Sequence, residues 1–238
     1  ADGLFHKAIS MSGYTESISV DDAYRQVDRS STSNYASWEV VNKIIQKHSN
    51  SKSQEEYSNE ELRDVLLGLS GKEFYQYYDE REPYEELPLL TNDGVAIPKI
   101  GLRKALSNKK YVNKVPTIAG STRDEVKVWL AFSEYFVSVD YSPAGSLFGL
   151  PKVILKDEDA YEAFNYYRSN AWKVRGVNEP LNSLMNAGNS QLYSYRFDWD
   201  DRRQFLIADF KQLFGAAHAL EIPLLTRNYK LVGGPPVS

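Results

Sequence analysis

Val115-Pro116-Thr117-Ile118-Ala119-Gly120-Ser121-Thr122-Arg123-Asp124-Glu125 changes character halfway along, from an apolar run to a polar turn. The first half reads as a buried strand over 115–120 ended by Gly120, and helix is expected from about Glu125 to about Phe136. A buried strand that leaves through a polar turn into a helix is the building unit of an α/β sheet. Such sheets place functional groups at the carboxyl ends of their strands. The turn also has a plainer reading. Ser121 or Thr122 suits a helix cap, and Asp124 and Glu125 suit the positive end of a helix dipole without catalysing anything. Taken alone, the cap is the stronger reading.

Two more strands flank this one. Lys7 to Ser12 is a short half-apolar run broken at Gly13, and Gln191 to Trp199 alternates through Leu192, Tyr193, Ser194, Tyr195, Arg196 and Phe197. Helical spacing occupies the intervals. Trp38, Val40, Val41, Ile44 and Ile45 recur over Ala36–His48, Ser58-Asn59-Glu60-Glu61 is a capping box ahead of Leu62, Val65, Leu66 and Leu69, and Lys72–Tyr78 is a shorter Tyr-rich helix. Glu158 to about Met185 is expected to be helical, with a break near Gly176 and Pro180. Asn92-Asp93-Gly94, with Pro98 soon after, signals a tight turn, and Tyr141–Pro151 a loop. Strands separated by long helical stretches imply an α/β fold with a mostly parallel sheet, since parallel neighbours need crossovers. Asp21–Tyr84 reads as a helical excursion from the sheet, either a lid or a plain helical layer.

Composition excludes several classes. With 238 residues, 42% hydrophobic and 25% charged, the chain has the mix of a soluble globular protein with a sizeable core. The net charge of −4 has no basic stripe, which argues against nucleic acid. Apolar runs such as Ile222–Leu225 fall far short of the roughly 20 residues that span a bilayer. The absence of Cys excludes disulfides and a thiolate nucleophile. The opening Ala1-Asp2-Gly3 and the closing Gly233-Gly234-Pro235-Pro236-Val237-Ser238 both read as cuts in a longer chain.

Three histidines compete for the role of general base. His48 ends a helix beside Lys47, and His6 precedes the first strand; both are explained by solvent or backbone. His218 lies in Phe214-Gly215-Ala216-Ala217-His218-Ala219-Leu220-Glu221-Ile222-Pro223, a loop after the last strand in which small residues clear space around it. A lone loop histidine is often structural. A serine hydrolase of the α/β type, however, carries serine, acid and histidine in that order, and Glu125 followed by His218 fits the last two terms. No Gly-x-Ser-x-Gly occurs; Gly68-Leu69-Ser70-Gly71 is one residue short.

Three segments together resemble the type-B carboxylesterase family, which includes para-nitrobenzyl esterases and cholinesterases. Gly3-Leu4-Phe5-His6-Lys7-Ala8-Ile9-Ser10-Met11-Ser12-Gly13 is similar to the segment that follows the nucleophile elbow. Ile118–Glu125 resembles the turn whose Glu is the triad acid, and Gly215–Pro223 resembles the segment around the catalytic His. Asp93-Gly94 through Pro98 and Tyr195-Arg196-Phe197 are weaker matches in the expected order. Val126 and Ala219 depart from the family, which usually has Gly at both positions.

The resemblance implies an α/β-hydrolase fold, with this chain as the C-terminal portion of the catalytic domain. It implies Glu125 as acid and His218 as base, Ser12 and Glu221 as supporting residues, and Val128, Trp129 and Leu224 beside the substrate; core packing accounts for these last three almost as well. It further implies a carboxylic ester hydrolase whose serine and oxyanion hole reside in a separate N-terminal piece, acting on small-molecule esters with no cofactor or metal. The alternative is a cholinesterase-like binding or adhesion protein that has lost the serine. Localisation stays open between the bacterial cytoplasm and secretion.

Overall fold

Parallel strands demand that the chain cross over between neighbours, and the long intervals between the three sequence-derived strands supply that length. In the computed structural model, which describes residues 3–25, 36–48, 53–79, 90–140, 151–201 and 208–227, strands β1 (Ala8–Met11), β4 (Thr117–Thr122) and β7 (Leu192–Phe197) form one sheet, order β1-β4-β7. Every pairing in it is parallel: Ile9 lies beside Ile118, Ile118 beside Tyr193, and Gly120 beside Tyr195. The ladder continues past the strand ends through Ser12 N to the Gly120 carbonyl (2.8 Å) and Arg123 N to the Phe197 carbonyl (2.9 Å). Both bonds anchor the start of a turn at the carboxyl end of the sheet.

The chain divides into two compact units, one comprising Glu16–Ala105 and the other the remainder. The expected excursion over 21–84 lies within the first. There, β2 (Ile18–Ser19) pairs in parallel with β3 (Thr91–Asn92), and α1 (Val20–Arg25), α2 (Ser37–His48), a 3-10 turn (Gln54–Glu56), α3 (Asn59–Gly68), α4 (Gly71–Asp79) and α5 (Leu102–Leu106) follow the chain order. The amphipathic face of α2 buries Val40 and Ile44 with Tyr77, and Val65, Leu66, Leu69 and Phe74 pack on them. The capping box forms as the sequence dictates: Glu61 N donates to Ser58 Oγ and Ser58 N to Glu61 Oε2. Ser70 makes the same exchange with Glu73, so its hydroxyl is a helix cap. The Asn92-Asp93-Gly94 turn is stapled by Asp93 Oδ1, which accepts from the amides of Val95, Ala96 and Ile97, while Gly94 adopts φ 80°.

The sheet-bearing unit departs from the sequence reading in three places. β4 runs two residues beyond Gly120; this glycine does not end the strand but makes room for the Tyr195 ring, which a Cβ would overlap. The helix expected over Glu125–Phe136 shrinks to α6 (Lys127–Leu130), because the polar Ser133-Glu134 step breaks the apolar period and the chain turns into β5 (Val137–Asp140). β5 pairs antiparallel with β6 (Lys152–Leu155). The break expected near Gly176 is instead a five-residue π-helical turn (Val174–Asn178) joining α7 (Glu158–Lys173) to α8 (Glu179–Asn186). Gly176 sits so close to the Gly13 carbonyl that a Cβ would collide with it. Two short helices, α9 (Phe210–Phe214) and α10 (Ile222–Thr226), follow β7. Val126, Leu130, Phe136 and Tyr161 form the unit's main core cluster, with Trp172 packed against it. The loop expected over 141–151 and the chain's last residues fall outside the described ones, apart from Pro151.

Candidate active site

A carboxylate at the end of a buried strand costs desolvation energy unless donors surround it. Glu125 has them. Its side chain is fully buried, and Oε1 accepts from Thr122 N (2.7 Å) and Ser12 Oγ (2.5 Å), while Oε2 meets His218 Nδ1 at 2.7 Å. The main chain reinforces the pairing, with His218 N donating to the Glu125 carbonyl at 3.3 Å. The three side chains come from the end of β1, the turn after β4 and the loop before α10, so the parallel register of the sheet assembles them.

The hydrogen bond with Glu125 raises the His218 pKa above its ordinary value; burial opposes this, and the charges of Glu125 and Glu221 add to it. The ring is about one-third exposed, and Nε2 hydrogen-bonds no described residue. A carboxylate holding Nδ1 as a donor leaves Nε2 as the nitrogen able to take a proton. Glu221 lies deeper, 4% exposed, and its Oε2 meets no partner among the described residues. Burial raises its pKa, and the negative charge of Glu125 pushes the same way.

Asp124 holds the two loops together. Its Oδ2 accepts from Arg123 Nε (3.0 Å) and Nη2 (2.8 Å) and from Ala216 N (2.9 Å), its Oδ1 accepts from Asn165 Nδ2 (2.7 Å), and its own amide donates to the Ala216 carbonyl (3.0 Å). Burial works against ionisation, yet these donors hold its pKa below the usual carboxylate value. Lys127, almost fully buried, extends the framework by donating to Glu162 Oε1 on α7 (2.6 Å) and to the Gln212 carbonyl on α9 (3.0 Å).

Two residues adjoining the acid–base pair occupy left-handed backbone without being glycine: Ser12 at φ 49° and Ala219 at φ 68°. Such conformations cost about 1–2 kcal/mol each and persist where surrounding contacts impose them. The positive φ at 219 accounts for a glycine preference at that position. Val126, by contrast, is right-handed at φ −85°, so a side chain costs nothing there.

Of the residues singled out in the sequence, Ser12, Glu125 and His218 are joined by hydrogen bonds, and Trp129 packs its indole 5.3 Å from the His218 ring. Val128, half-buried on α6, and Leu224, exposed on α10, are carried on two short helices of the same unit. His6 is exposed, and His48 is the last residue of α2. Sequence reasoning missed Trp172, whose ring lies 5.2 Å from His218 and 5.7 Å from Trp129, and missed the tethering role of Asp124. No local pattern marks Trp172, which is one aromatic among many on α7; Asp124 carried only the dipole reading.

The fold is similar to that of known structures. A structure of PNB esterase aligns with a TM-score of 0.54 at 18% identity over 97% of this chain, and a second with 0.52 at 20% identity over 99%. The carboxylesterase of Geobacillus stearothermophilus aligns at a TM-score of 0.49 with 19% identity over 96%. The chain spans 43–45% of these esterases' own length. At such identity the likeness to the two PNB esterase structures is one of fold alone, the α/β-hydrolase fold with its parallel sheet. No protein-family model matches the sequence, and no curated protein does. Among the described residues, no helix is long and apolar enough to cross a membrane.

Proposed function

We infer that this chain is the acid- and base-bearing portion of a serine carboxylic ester hydrolase, the serine and oxyanion hole being supplied by an N-terminal portion. The observation that carries this reading is the buried Glu125 carboxylate held 2.7 Å from His218 Nδ1 at the carboxyl end of a parallel sheet. The structural likeness to PNB esterase supports it.

In this reading His218 Nε2 takes the serine proton as the hydroxyl attacks the ester carbonyl, and the tetrahedral intermediate collapses as His218 returns that proton to the leaving alcohol. Water then attacks the acyl-enzyme with His218 again as base. Glu125 fixes the Nδ1–H tautomer and stabilises the imidazolium formed in each half-reaction. Ser12 and the Thr122 amide hold Oε1 so that Oε2 faces the imidazole. The substrates are small carboxylic esters.

The test is hydrolysis of para-nitrophenyl esters by the purified protein, with denaturing mass spectrometry to identify the serine-bearing portion and a fluorophosphonate probe to label it. Hydrolysis that falls roughly 10⁴-fold in His218→Ala and in Glu125→Gln is the expected result. Hydrolysis indifferent to both substitutions, or an N-terminal portion without a labelled serine, would overturn the reading in favour of a binding or adhesion protein.

A further inference from the structure

Three rings meet beside the acid–base pair. The indoles of Trp129 on α6 and Trp172 in the last turn of α7 stack at 5.7 Å and 20°, and the His218 imidazole lies 5.3 Å from the first and 5.2 Å from the second, tilted 36° and 42°. Trp172 is pinned: its Nε1 donates to the Ser12 carbonyl at 3.3 Å, and Tyr14 packs edge-on against it at 6.4 Å. Ser12 therefore engages two neighbours of His218, its hydroxyl donating to Glu125 and its carbonyl accepting from the Trp172 indole. Hydrophobic packing alone accounts poorly for the pair, since Trp129 stays 53% exposed.

An indole face attracts a cation within about 6 Å of its centroid, and the attraction strengthens where water is excluded. Neutral imidazole gains little from such a neighbour; imidazolium gains more. The geometry points to the Trp129–Trp172 pair as an electrostatic partner of the His218 imidazolium, with Trp172 a positioning residue that no local sequence pattern reveals. Among the described residues, the charged groups acting on this ring are Glu125 from the turn after β4 and Glu221 at the start of α10. Both carboxylates favour the protonated ring, and the indoles add to them. The kinetic consequence rests on His218 being the base, but the effect on its protonation does not.

The experiment is an NMR titration of the His218 Cε1–H in the purified protein, its resonance identified among the three histidines by His218→Gln. Trp172→Phe and Trp172→Leu keep apolar bulk over the ring while weakening and then removing the indole face. The His218 pKa is expected to fall stepwise, by about 0.4–1 unit in the leucine variant. Should the leucine variant misfold, biosynthetic replacement of all four tryptophans by a ring-fluorinated analogue weakens their π faces without changing their shape, and the same downward shift is expected. An unchanged or raised pKa overturns the inference, as does a KM effect without any change in pKa, which would assign the indoles to the substrate. Because the titration needs no ester and no serine, its failure leaves the hydrolase reading standing, and loss of the hydrolase reading leaves the titration meaningful.

Discussion

Replacing Asp124 by Ala tests whether the acid turn and the histidine loop are one mechanical unit. The substitution strands two buried donors, the Ala216 amide and the Asn165 side-chain amide, at about 1–3 kcal/mol each. It also removes the Arg123 pairing, which is worth only about 1 kcal/mol because that side chain is 36% exposed and keeps Asp200 at 2.7 Å. The sum is a loss of roughly 3–7 kcal/mol. Asp124→Asn keeps an acceptor for one donor but turns its NH2 toward the other, so an intermediate loss of about 1–3 kcal/mol is expected. Urea denaturation with an unchanged slope measures both. The donors around Asp124 depress its pKa, so its stabilising contribution is present above the unfolded-state value of about 3.9 and disappears as pH falls through the lower folded-state value. The gap between wild type and Asp124→Ala should accordingly close in acid. A loss below about 1 kcal/mol at neutral pH, or a gap that stays constant into acid, would refute the idea that this carboxylate ties the loops together.

Two further outcomes follow from the site. Ala219→Gly relieves the left-handed strain at φ 68°, less the extra chain entropy of glycine; a net gain of about 0.5–1 kcal/mol, seen as a Tm rise of roughly 1–4 °C, is expected, and a fall in Tm would contradict it. The His218 pKa lies above its ordinary value, so the Glu125–His218 pair contributes stability that is complete below about pH 6.5 and fades as pH rises through the folded-state value. The stability difference between wild type and His218→Gln should shrink from pH 6 to pH 9, and one that does not vary over that range would sink the assignment. In hydrolysis the same raised pKa moves the acid limb of the kcat/KM profile above the ordinary imidazole value.

How much of this was legible beforehand depended on how local each determinant is. The strands expected over 7–12, 115–120 and 191–199 announce themselves through apolar runs and alternation and form as 8–11, 117–122 and 192–197, and the capping box at Ser58 shows in its own four residues, because the forces that set them act within a few positions. Glu125 and His218 emerged from chain order and from a family likeness, not from any property of either residue alone. The helix expected over 125–136 stops at Leu130 because the polar Ser133-Glu134 step interrupts the apolar period and the chain turns into β5, whose partner β6 begins 15 positions after β5 does. Gly120 read as a terminator because the Tyr195 ring it accommodates is 75 residues away.

By itself, then, the sequence determines that the chain is α/β, that its sheet is mostly parallel with polar turns at the strands' carboxyl ends, and that Glu125 precedes His218 along the chain. Only the tertiary structure decides that the carboxylate is buried with three donors, that Asp124 bridges 92 positions to Ala216, and that Trp172 shares the imidazole with Trp129. The reason is physical: hydrogen bonds and ring contacts between segments a hundred residues apart depend on sheet register and helix packing, and no window along the chain contains both partners.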